Sequence, residues 1–319
     1  GPFGDHTGFY SLEDAYPVFH VTAVTHRRGA VYPATIVGVP PQEDAYIAKA
    51  TEKIFLAPIR RAMLSEVRDL YMPVQGAAHN IAVVDIVRNY PGQALKVASS
   101  LWGAGQMMFN KYMAVASSGR DVRDPEVLRQ LLRRVRVPED VVLSRGPLDV
   151  LDHAAPRMGL GGKLAFDLTG VDPDGAVPPV GLPQRWENCY GVERADDSLC
   201  ASWGVLLLYA ASSVVPDVPA FLRRNGVSYL PLAVLLDAGA YGFSYGDLLW
   251  LASSNCDPSR DVAFSGGTAL FDARPKVVAS SPETIARVDA RWEEYGLGPR
   301  TESPSLRYLK LQRRASAEY

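Results

Sequence analysis

The chain contains 319 residues, of which 47% are hydrophobic and 21% charged, and its 33 basic and 35 acidic side chains give a formal net charge of −2. This length predicts about two domains with a sizeable core. The balanced charge excludes the basic footprint of a nucleic-acid-binding protein, and the longest apolar stretches fall short of the ~20 residues of a membrane helix. Three cysteines without a CxxC pair exclude a disulfide framework, so the sequence predicts reduced thiols in a cytoplasmic protein.

The first 77 residues predict strands followed by a helix. Residues 18–25 and 30–37 are rich in β-formers, and the polar stretch between them is typical of a hairpin turn. Two prolines and two acidic residues at 40–44 then indicate a helix start. We therefore expect a strand region at 1–40 and a connecting helical segment at 41–77.

From residue 78 onward, strand and helix patterns alternate, which is typical of a layered α/β domain. The predicted strands lie at 81–87, 112–116 and 140–143, and the predicted helices at 91–108 and 125–135.

The same pattern returns later in the chain. Residues 113–116 resemble 232–235, and residues 164–167 resemble 269–272. We therefore predict two related α/β units, at 78–184 with a Pro/Gly-rich linker at its end, and at 185–319. A Ser-Pro-Glu-Thr start predicts a further helix at 281–295.

Several familiar motifs are only approximated. Residues 103–108 resemble a dinucleotide-binding fingerprint but lack its third glycine. Residues 159–163 resemble a phosphate-binding loop but lack its first glycine, so we interpret residues 159–163 as a flexible glycine loop. GxSxG is absent, which gives no support for a serine hydrolase. The five histidines show no HExxH spacing, so we predict no metal site built from this chain alone.

Two polar groups remain open to either a functional or a structural interpretation. His79 stands just before a predicted strand, where it would serve a site loop or a structural hydrogen bond. Asp149, Asp152 and His153 lie in an insertion that the second repeat lacks, which indicates either a functional cluster or a solvated loop.

The densest motif is GPFGDHTG at residues 1–8. Its glycines allow tight turns and close approach to a planar ligand, and they hold Asp5 beside His6 and Thr7. A carboxyl group desolvated by an apolar cofactor has a raised pKa and can act as a general acid. The alternative is an ordinary Asx turn.

These residues resemble the UbiD family of prenylated-FMN-dependent decarboxylases. The similarity is carried by GPFGDHTGFYS, by the run starting PVFHVTAVTHRRG, and by YPGQALKVASSLWGAGQMMFNKYMAV. The resemblance implies that residues 1–40 end a split β-barrel flavin-binding domain. The segment GPLDVLDHAAPRMGLGGKLAFD and the run VVASSPETIARVDARWEEYGLGPR most resemble the menaquinone branch, which implies 1,4-dihydroxy-6-naphthoate as substrate.

The resemblance also assigns roles to individual residues. Asp5 matches the family's proton donor, and Lys111 is a candidate phosphate contact whose alternative is a solvated lysine. Glu43 lies where the family brings a helix start near the substrate, and Ile47 and Phe9 are candidate pocket residues. The arginine, the first acidic residue, most flavin contacts and the ligands of a divalent metal (Mn or Mg) belong to the family's earlier half. We therefore expect this chain to correspond to the C-terminal half of the enzyme.

The sequence thus predicts part of a carboxy-lyase that is inactive by itself and needs the N-terminal half as a partner. An aromatic carboxylic acid is the expected substrate, and the family resemblance implies a homo-oligomer. The alternative from another class is a non-catalytic α/β assembly module that binds a partner subunit. A flavin-reductase-like protein is a third interpretation, for which no motif gives support.

Overall fold

Two five-stranded mixed sheets with identical strand order form the framework of the chain. The computed structural model describes residues 4, 6–9, 15–35, 37–77, 79–275, 286–287, 289–296 and 298–300. The fold is therefore mixed α/β, as the alternating sequence pattern predicts. Among the described residues, no helix is both long and apolar enough to cross a bilayer.

The first sheet has the order β1-β2-β3-β5-β4. Its inner pairings, β2 with β3 and β3 with β5, are parallel, and its two outer pairings are antiparallel. Five of the six β2 residues are buried, as expected for a strand covered on both faces. In chain order its elements are α1 (Asp44–Ala62), β1 (Val67–Tyr71), β2 (Ile81–Ile86), α2 (Gln93–Trp102), β3 (Tyr112–Ala116), α3 (Pro125–Leu132), β4 (Val141–Pro147) and β5 (Leu160–Leu168).

The second sheet repeats this arrangement with the order β6-β7-β8-β10-β9, again with parallel inner and antiparallel outer pairings. The predicted repeat is confirmed, because β8 and β10 occupy the places that β3 and β5 hold in the first sheet. Its elements are β6 (Arg194–Asp196), α4 (Cys200–Trp203), β7 (Val205–Ala210), α5 (Val218–Arg224), β8 (Leu232–Asp237), α6 (Tyr245–Asn255), β9 (Val262–Ser265) and β10 (Thr268–Asp272).

Local chemistry explains where several helices begin. Asp124 accepts a hydrogen bond from the backbone N–H of Glu126 ahead of Pro125, and Asp217 caps α5 in the same way through Ala220. Ser244 and Asp247 form a reciprocal capping box at the start of α6. These caps satisfy N–H groups that a first helical turn leaves without partners.

Apolar side chains from both sheets pack in one shared cluster. Val83 and Leu131 of the first sheet's layer are buried there together with Leu232 and Ala269 of the second. A second cluster joins Phe9, from the N-terminal motif, to residues of α6 and β8. The two sheets are therefore packed against each other, and the N-terminal motif is packed against the second.

The predicted strands at 18–25 and 30–37 are not formed by the residues of these ranges that the structure describes, which leave out residue 36. Residues 15–35 carry no strand, and Phe19 is 87% exposed. A strand needs a hydrogen-bonded neighbour, and no backbone hydrogen bond joins 15–35 to another described segment. The turn at residues 28–29 is present. The assignment of residues 1–40 to a split β-barrel stays a prediction.

The interpretation of residues 159–163 as a flexible loop is wrong, because Leu160–Leu168 is β5. Its glycines are needed for close packing rather than mobility. A Cβ added to Gly162 would lie 2.1 Å from the backbone nitrogen of Ser259, and one on Gly161 would lie 2.2 Å from Asp257 Oδ2. The Gly162 N–H instead donates to both carboxylate oxygens of Asp257, at 3.1 and 3.0 Å.

The remaining boundaries differ in detail. The first sheet begins at Val67, inside the predicted connecting segment, and α2 ends at Trp102, followed by a 3-10 helix at Gly105–Phe109. Of the helix predicted at 281–295, residues 286–287 and 289–290 are helical and Trp292–Tyr295 is a 3-10 helix; 281–285 and 288 lie outside the described residues.

Candidate active site

A cluster of buried and half-buried polar residues lies at one edge of the first sheet. Strands β2, β3 and β5 are parallel, so the residues that precede them share that edge, and antiparallel β4 ends there as well. We call this group the edge cluster; its members are His6, His79, Lys111, Asp149, Asp152, His153 and Asn255.

The N-terminal turn at residues 6–9 is fixed to α6. The carbonyl oxygen of Thr7 accepts the indole N–H of Trp250 at 2.9 Å, and the Phe9 ring stacks on the Trp250 ring with centroids 5.4 Å apart. Gly8 has φ +81°, and a Cβ there would lie 2.8 Å from Trp250 Cζ2. Glycine is therefore required at residue 8, and the turn holds His6 at the edge cluster.

His79 and Asp149 face each other next to His6. The rings of His6 and His79 have centroids 5.0 Å apart, and His79 Nε2 lies 4.0 Å from Asp149 Oδ2. The other carboxylate oxygen, Asp149 Oδ1, accepts the Leu151 N–H at 2.9 Å, which orients the side chain. The Nε2 atoms of His6 and His79 are buried and have no hydrogen-bond partner among the described residues.

Lys111 forms a buried ion pair with Asp152. Its Nζ lies 2.8 Å from Asp152 Oδ2, and the lysine side chain is 0% exposed. Burial raises the pKa of Asp152, but the charge of Lys111, the neighbouring His153 and two hydrogen bonds outweigh it and hold that pKa below its usual value. The alternative interpretation of Lys111 as a solvated lysine is therefore wrong. The interpretation of the segment around Asp152 as a solvated loop is wrong for the same reason.

His153 is held by the second half of the chain. Its Nε2 lies 2.9 Å from Asn255 Oδ1, and the Asn255 amide donates to the Leu251 carbonyl at 3.1 Å. The His153 ring also packs on Phe9, with centroids 4.5 Å apart. Asn255 thus connects the end of α6 to the segment between β4 and β5.

Burial keeps two of the histidines neutral. Desolvation, and in addition the nearby His6, lower the pKa of His79 to about 4, although Asp149 and Asp152 oppose this. Desolvation likewise lowers the pKa of His153 to about 4 against the opposing effect of Asp152. At neutral pH both rings can accept a hydrogen bond or bind a metal ion through an unprotonated nitrogen.

The residues predicted from the resemblance are not all brought together. Asp5 lies outside the described residues, next to His6. Phe9 is buried between His153 and Trp250, whereas Ile47 is 53% exposed on α1 and Glu43 is half-buried at the N-terminus of that helix. Lys111 adjoins the cluster, but its ammonium group is already paired with Asp152.

Sequence reasoning missed the contributions of α6. Trp250 and Asn255 support the N-terminal turn and His153, and Asp257 receives the N–H of Gly162. A usable signal was present, because the run Ser253–Asp257 places polar residues at the end of an apolar helix and just beyond it. Four of these five residues are also among the buried polar residues, and the fifth is the buried Cys256.

Two sequence families match the chain, and both describe one enzyme type. Residues 1–40 match the Rift-related domain of 3-octaprenyl-4-hydroxybenzoate carboxy-lyase (UbiD), and residues 45–168 match its C-terminal domain. Together the matches cover just over half of the chain. The first half of the chain thus carries two UbiD-family domains, while the second sheet lies outside both matches.

Similar proteins occur in distant organisms. An uncharacterized protein of Archaeoglobus fulgidus is 48% identical to this chain over 171 residues, and one of Aquifex aeolicus is 48% identical over 170 residues. An uncharacterized protein of Helicobacter pylori is 38% identical over 170 residues. The alignments cover 53% of this chain but only 35%, 35% and 27% of those proteins. The chain thus matches about a third of the length of these relatives.

Two solved structures resemble part of the chain. The UbiD-class enzyme HmfF from Pelotomaculum thermopropionicum, in complex with FMN, is 25% identical with a TM-score of 0.44 over 57% of this chain and 41% of its own. The vanillic acid decarboxylase of Sedimentibacter hydroxybenzoicus, in its closed form, is 23% identical with a TM-score of 0.43 over 59% and 40%.

Proposed function

We propose that this chain is part of a decarboxylase that removes CO2 from an aromatic carboxylic acid with the help of prenylated FMN. The observation that carries the proposal is the match of residues 1–40 and 45–168 to two domains of a carboxy-lyase family. The substrate we propose is 1,4-dihydroxy-6-naphthoate, in menaquinone biosynthesis. This finer assignment rests on the sequence resemblance of residues 146–167 and 277–300 to that branch.

Asp5 is the proposed proton donor. Loss of CO2 leaves an electron pair on the substrate carbon, and an acid must deliver a proton there before the product leaves. The assignment rests on the resemblance of GPFGDHTG to the family motif, in which the matching acidic residue donates the proton. A carboxyl group that is desolvated has a raised pKa and stays protonated for this task.

The ion pair of Lys111 argues against a phosphate contact of the flavin at this residue. Lys111, the predicted phosphate contact, would have to give up its buried ion pair with Asp152. We therefore propose that the flavin is held mainly by an N-terminal part of the enzyme outside this chain, together with any Mn or Mg ion bound there. The cofactor supplies the electron sink that no protein side chain offers.

The chain's own contribution that we propose is a rigid support for the N-terminal motif. The stacked rings of Phe9 and Trp250 are buried, and His153 lies against the first of them. These contacts fix the turn at residues 6–9 from its inner side.

The test is turnover by the protein in its full natural length, produced together with prenylated FMN. We expect CO2 release from dihydroxynaphthoate, and we expect Asp5→Asn to reduce it by at least about 100-fold, the usual size of a general-acid contribution. Asp174→Asn, which changes an exposed carboxylate paired with Arg120, serves as the control and should leave the rate unchanged.

The outcomes separate the alternatives. Turnover of another aromatic acid, with the same loss in Asp5→Asn, would overturn the substrate and keep the reaction. A folded, flavin-loaded protein without decarboxylation of any aromatic acid would overturn the enzyme proposal in favour of an assembly module. A homo-oligomer, which the family resemblance implies, is checked on the same preparation by light scattering.

A further inference from the structure

We propose that His6, His79 and Asp149 form a binding site for a divalent transition-metal ion such as Zn²⁺. Their ligand atoms, an imidazole nitrogen from each histidine and a carboxylate oxygen, all lie within 4.8 Å of one another. The expectation that this chain alone provides no metal site rested on sequence spacing. The fold brings the three residues together from the N-terminal turn, the segment before β2 and the segment after β4.

The donor set decides the class of ion. Two imidazoles and one carboxylate are the ligands of catalytic zinc centres and of non-haem iron centres, whereas Mg²⁺ and Ca²⁺ prefer oxygen ligands alone. Three protein ligands also leave a coordination position open for water or for an oxygen atom of a bound molecule. The site therefore fits a metal ion that does chemistry better than one that only holds the fold.

The burial of the histidine nitrogens is the second observation. Both Nε2 atoms are buried without a hydrogen-bond partner among the described residues, and leaving such a group unsatisfied is unfavourable. A single ion between the two rings would satisfy both. Asp149 is already oriented for this, since its Oδ1 is held by the Leu151 N–H while its Oδ2 faces His79.

The nearby positive charge does not oppose the ion. Lys111 is close to the histidines, but its ammonium group lies 2.8 Å from Asp152 Oδ2, so the pair has no net charge. Asp149 is the remaining charged group of the edge cluster and gives the site a negative charge. Metal–ligand distances of about 2.0–2.2 Å require the three ligand atoms to approach to about 3.3 Å, so binding should draw the three segments together and raise the melting temperature.

The test is metal titration of the full natural-length protein after treatment with a chelator, without flavin or substrate. Zn²⁺ binding is measured by calorimetry, and Co²⁺ is used as a spectroscopic probe because a low-coordinate nitrogen–oxygen site gives intense visible absorption. We expect Asp149→Asn and His79→Gln to weaken Zn²⁺ binding at least about 10-fold, since even outer partners of metal ligands contribute that much. His26→Gln, at an exposed histidine, should bind as the original protein does.

The readouts separate a metal site from a general loss of structure. Thermal denaturation without metal shows whether each variant folds, and Asp149→Asn keeps the size and most hydrogen bonding of the native side chain. Zn²⁺ binding that is unchanged in both variants, or preference for Mg²⁺ over Zn²⁺, would overturn the proposal. A further ion bound elsewhere in a longer chain would persist in both variants. Because no substrate is present, failure of the decarboxylation proposal leaves this result unaffected.

Discussion

Trp250 donates its indole N–H to the carbonyl oxygen of Thr7 at 2.9 Å, joining two residues that lie almost at opposite ends of the described chain. The bond is buried, and the same indole stacks on Phe9. The N-terminal motif therefore depends for its position on a helix of the second sheet. That sheet therefore also supports the candidate active site.

Replacing Trp250 by phenylalanine should remove the hydrogen bond and keep an aromatic ring. The Thr7 carbonyl would remain buried without its partner, so we expect a loss of about 2 kcal/mol in the free energy of unfolding. Trp186→Phe is a matched control, because Trp186 donates to the solvent-accessible carboxylate of Asp197 and stacks on Phe221. Urea denaturation of both variants tests the prediction, and equal losses would contradict it.

Gly162→Ala should disrupt the contact between β5 and the segment after α6. The new methyl group would lie 2.1 Å from the Ser259 nitrogen, and backbone must move to admit it. We expect a loss of about 3 kcal/mol or failure to fold, at the upper end for overpacking. Gly103→Ala is the control, since its nearest contact would be an ordinary 3.6 Å. Thermal denaturation that ranks the two variants equally would argue against close packing at β5.

The buried pair Lys111–Asp152 should behave differently from a surface pair. Lys111→Met leaves an uncompensated buried carboxylate, so we expect a loss of about 3–5 kcal/mol, much of which the double variant Lys111→Met/Asp152→Leu should recover. The exposed pair Arg224–Glu187, at 2.9 Å, is the comparison, and its removal should change the stability far less because solvent screens it. A double-mutant cycle by urea denaturation measures both, and additive losses at Lys111 and Asp152 would refute the buried pair.

The neutral histidines predict a loss of stability in mild acid. His79 and His153 have pKa values of about 4 in the folded chain against 6.5 for an unperturbed histidine. The unfolded chain therefore binds more protons between these pH values. The contribution of each neutral histidine to the free energy of unfolding is fully present above pH 6.5. It falls by up to about 1.4 kcal/mol per pH unit as the pH drops towards 4.

Urea denaturation from pH 7.5 to 4 measures this slope. His153→Gln keeps a hydrogen-bonding partner for Asn255 but cannot titrate, so its stability should decline less steeply than that of the original protein. His26→Gln removes an exposed histidine and should leave the curve as it is. A slope that does not change in His153→Gln would show that this histidine titrates normally in the folded chain.

The α/β part of the fold was predictable because its signals are local. Strand β3 has the predicted bounds, 112–116, and the strand order of the second sheet follows from the repeat of short apolar runs. The strands predicted near residues 18–37 were not formed, because a strand depends on a neighbour as well as on its own residues. The glycines of β5 suggested a loop, although they are required by the approach of Asp257 and Ser259.

The edge cluster was only partly predictable. The sequence singles out all of its members except Asn255, but the meeting of His6, His79 and Lys111 with the segment after β4 depends on the parallel pairing of β2, β3 and β5. The usual position of ligands in open α/β sheets would not have indicated this cluster either. Such ligands bind at the carboxyl ends of the parallel strands, whereas this cluster lies at their amino ends. Asn255 could not be assigned from sequence, because its partner His153 is distant in the chain and belongs to the other sheet's layer.

The exposed segment at residues 171–185 has a consequence for the integrity of the chain. It joins two sheets that already hold each other through Tyr112 and Cys256, Gly162 and Asp257, and Ala154 and Arg260. Because the two sheets also share a buried apolar cluster and no residue of the segment between them is buried, cleavage in this segment would leave two polypeptides that stay associated. The covalent connection is thus dispensable for holding the site together once the protein has folded, and the two sheets form a single unit of stability.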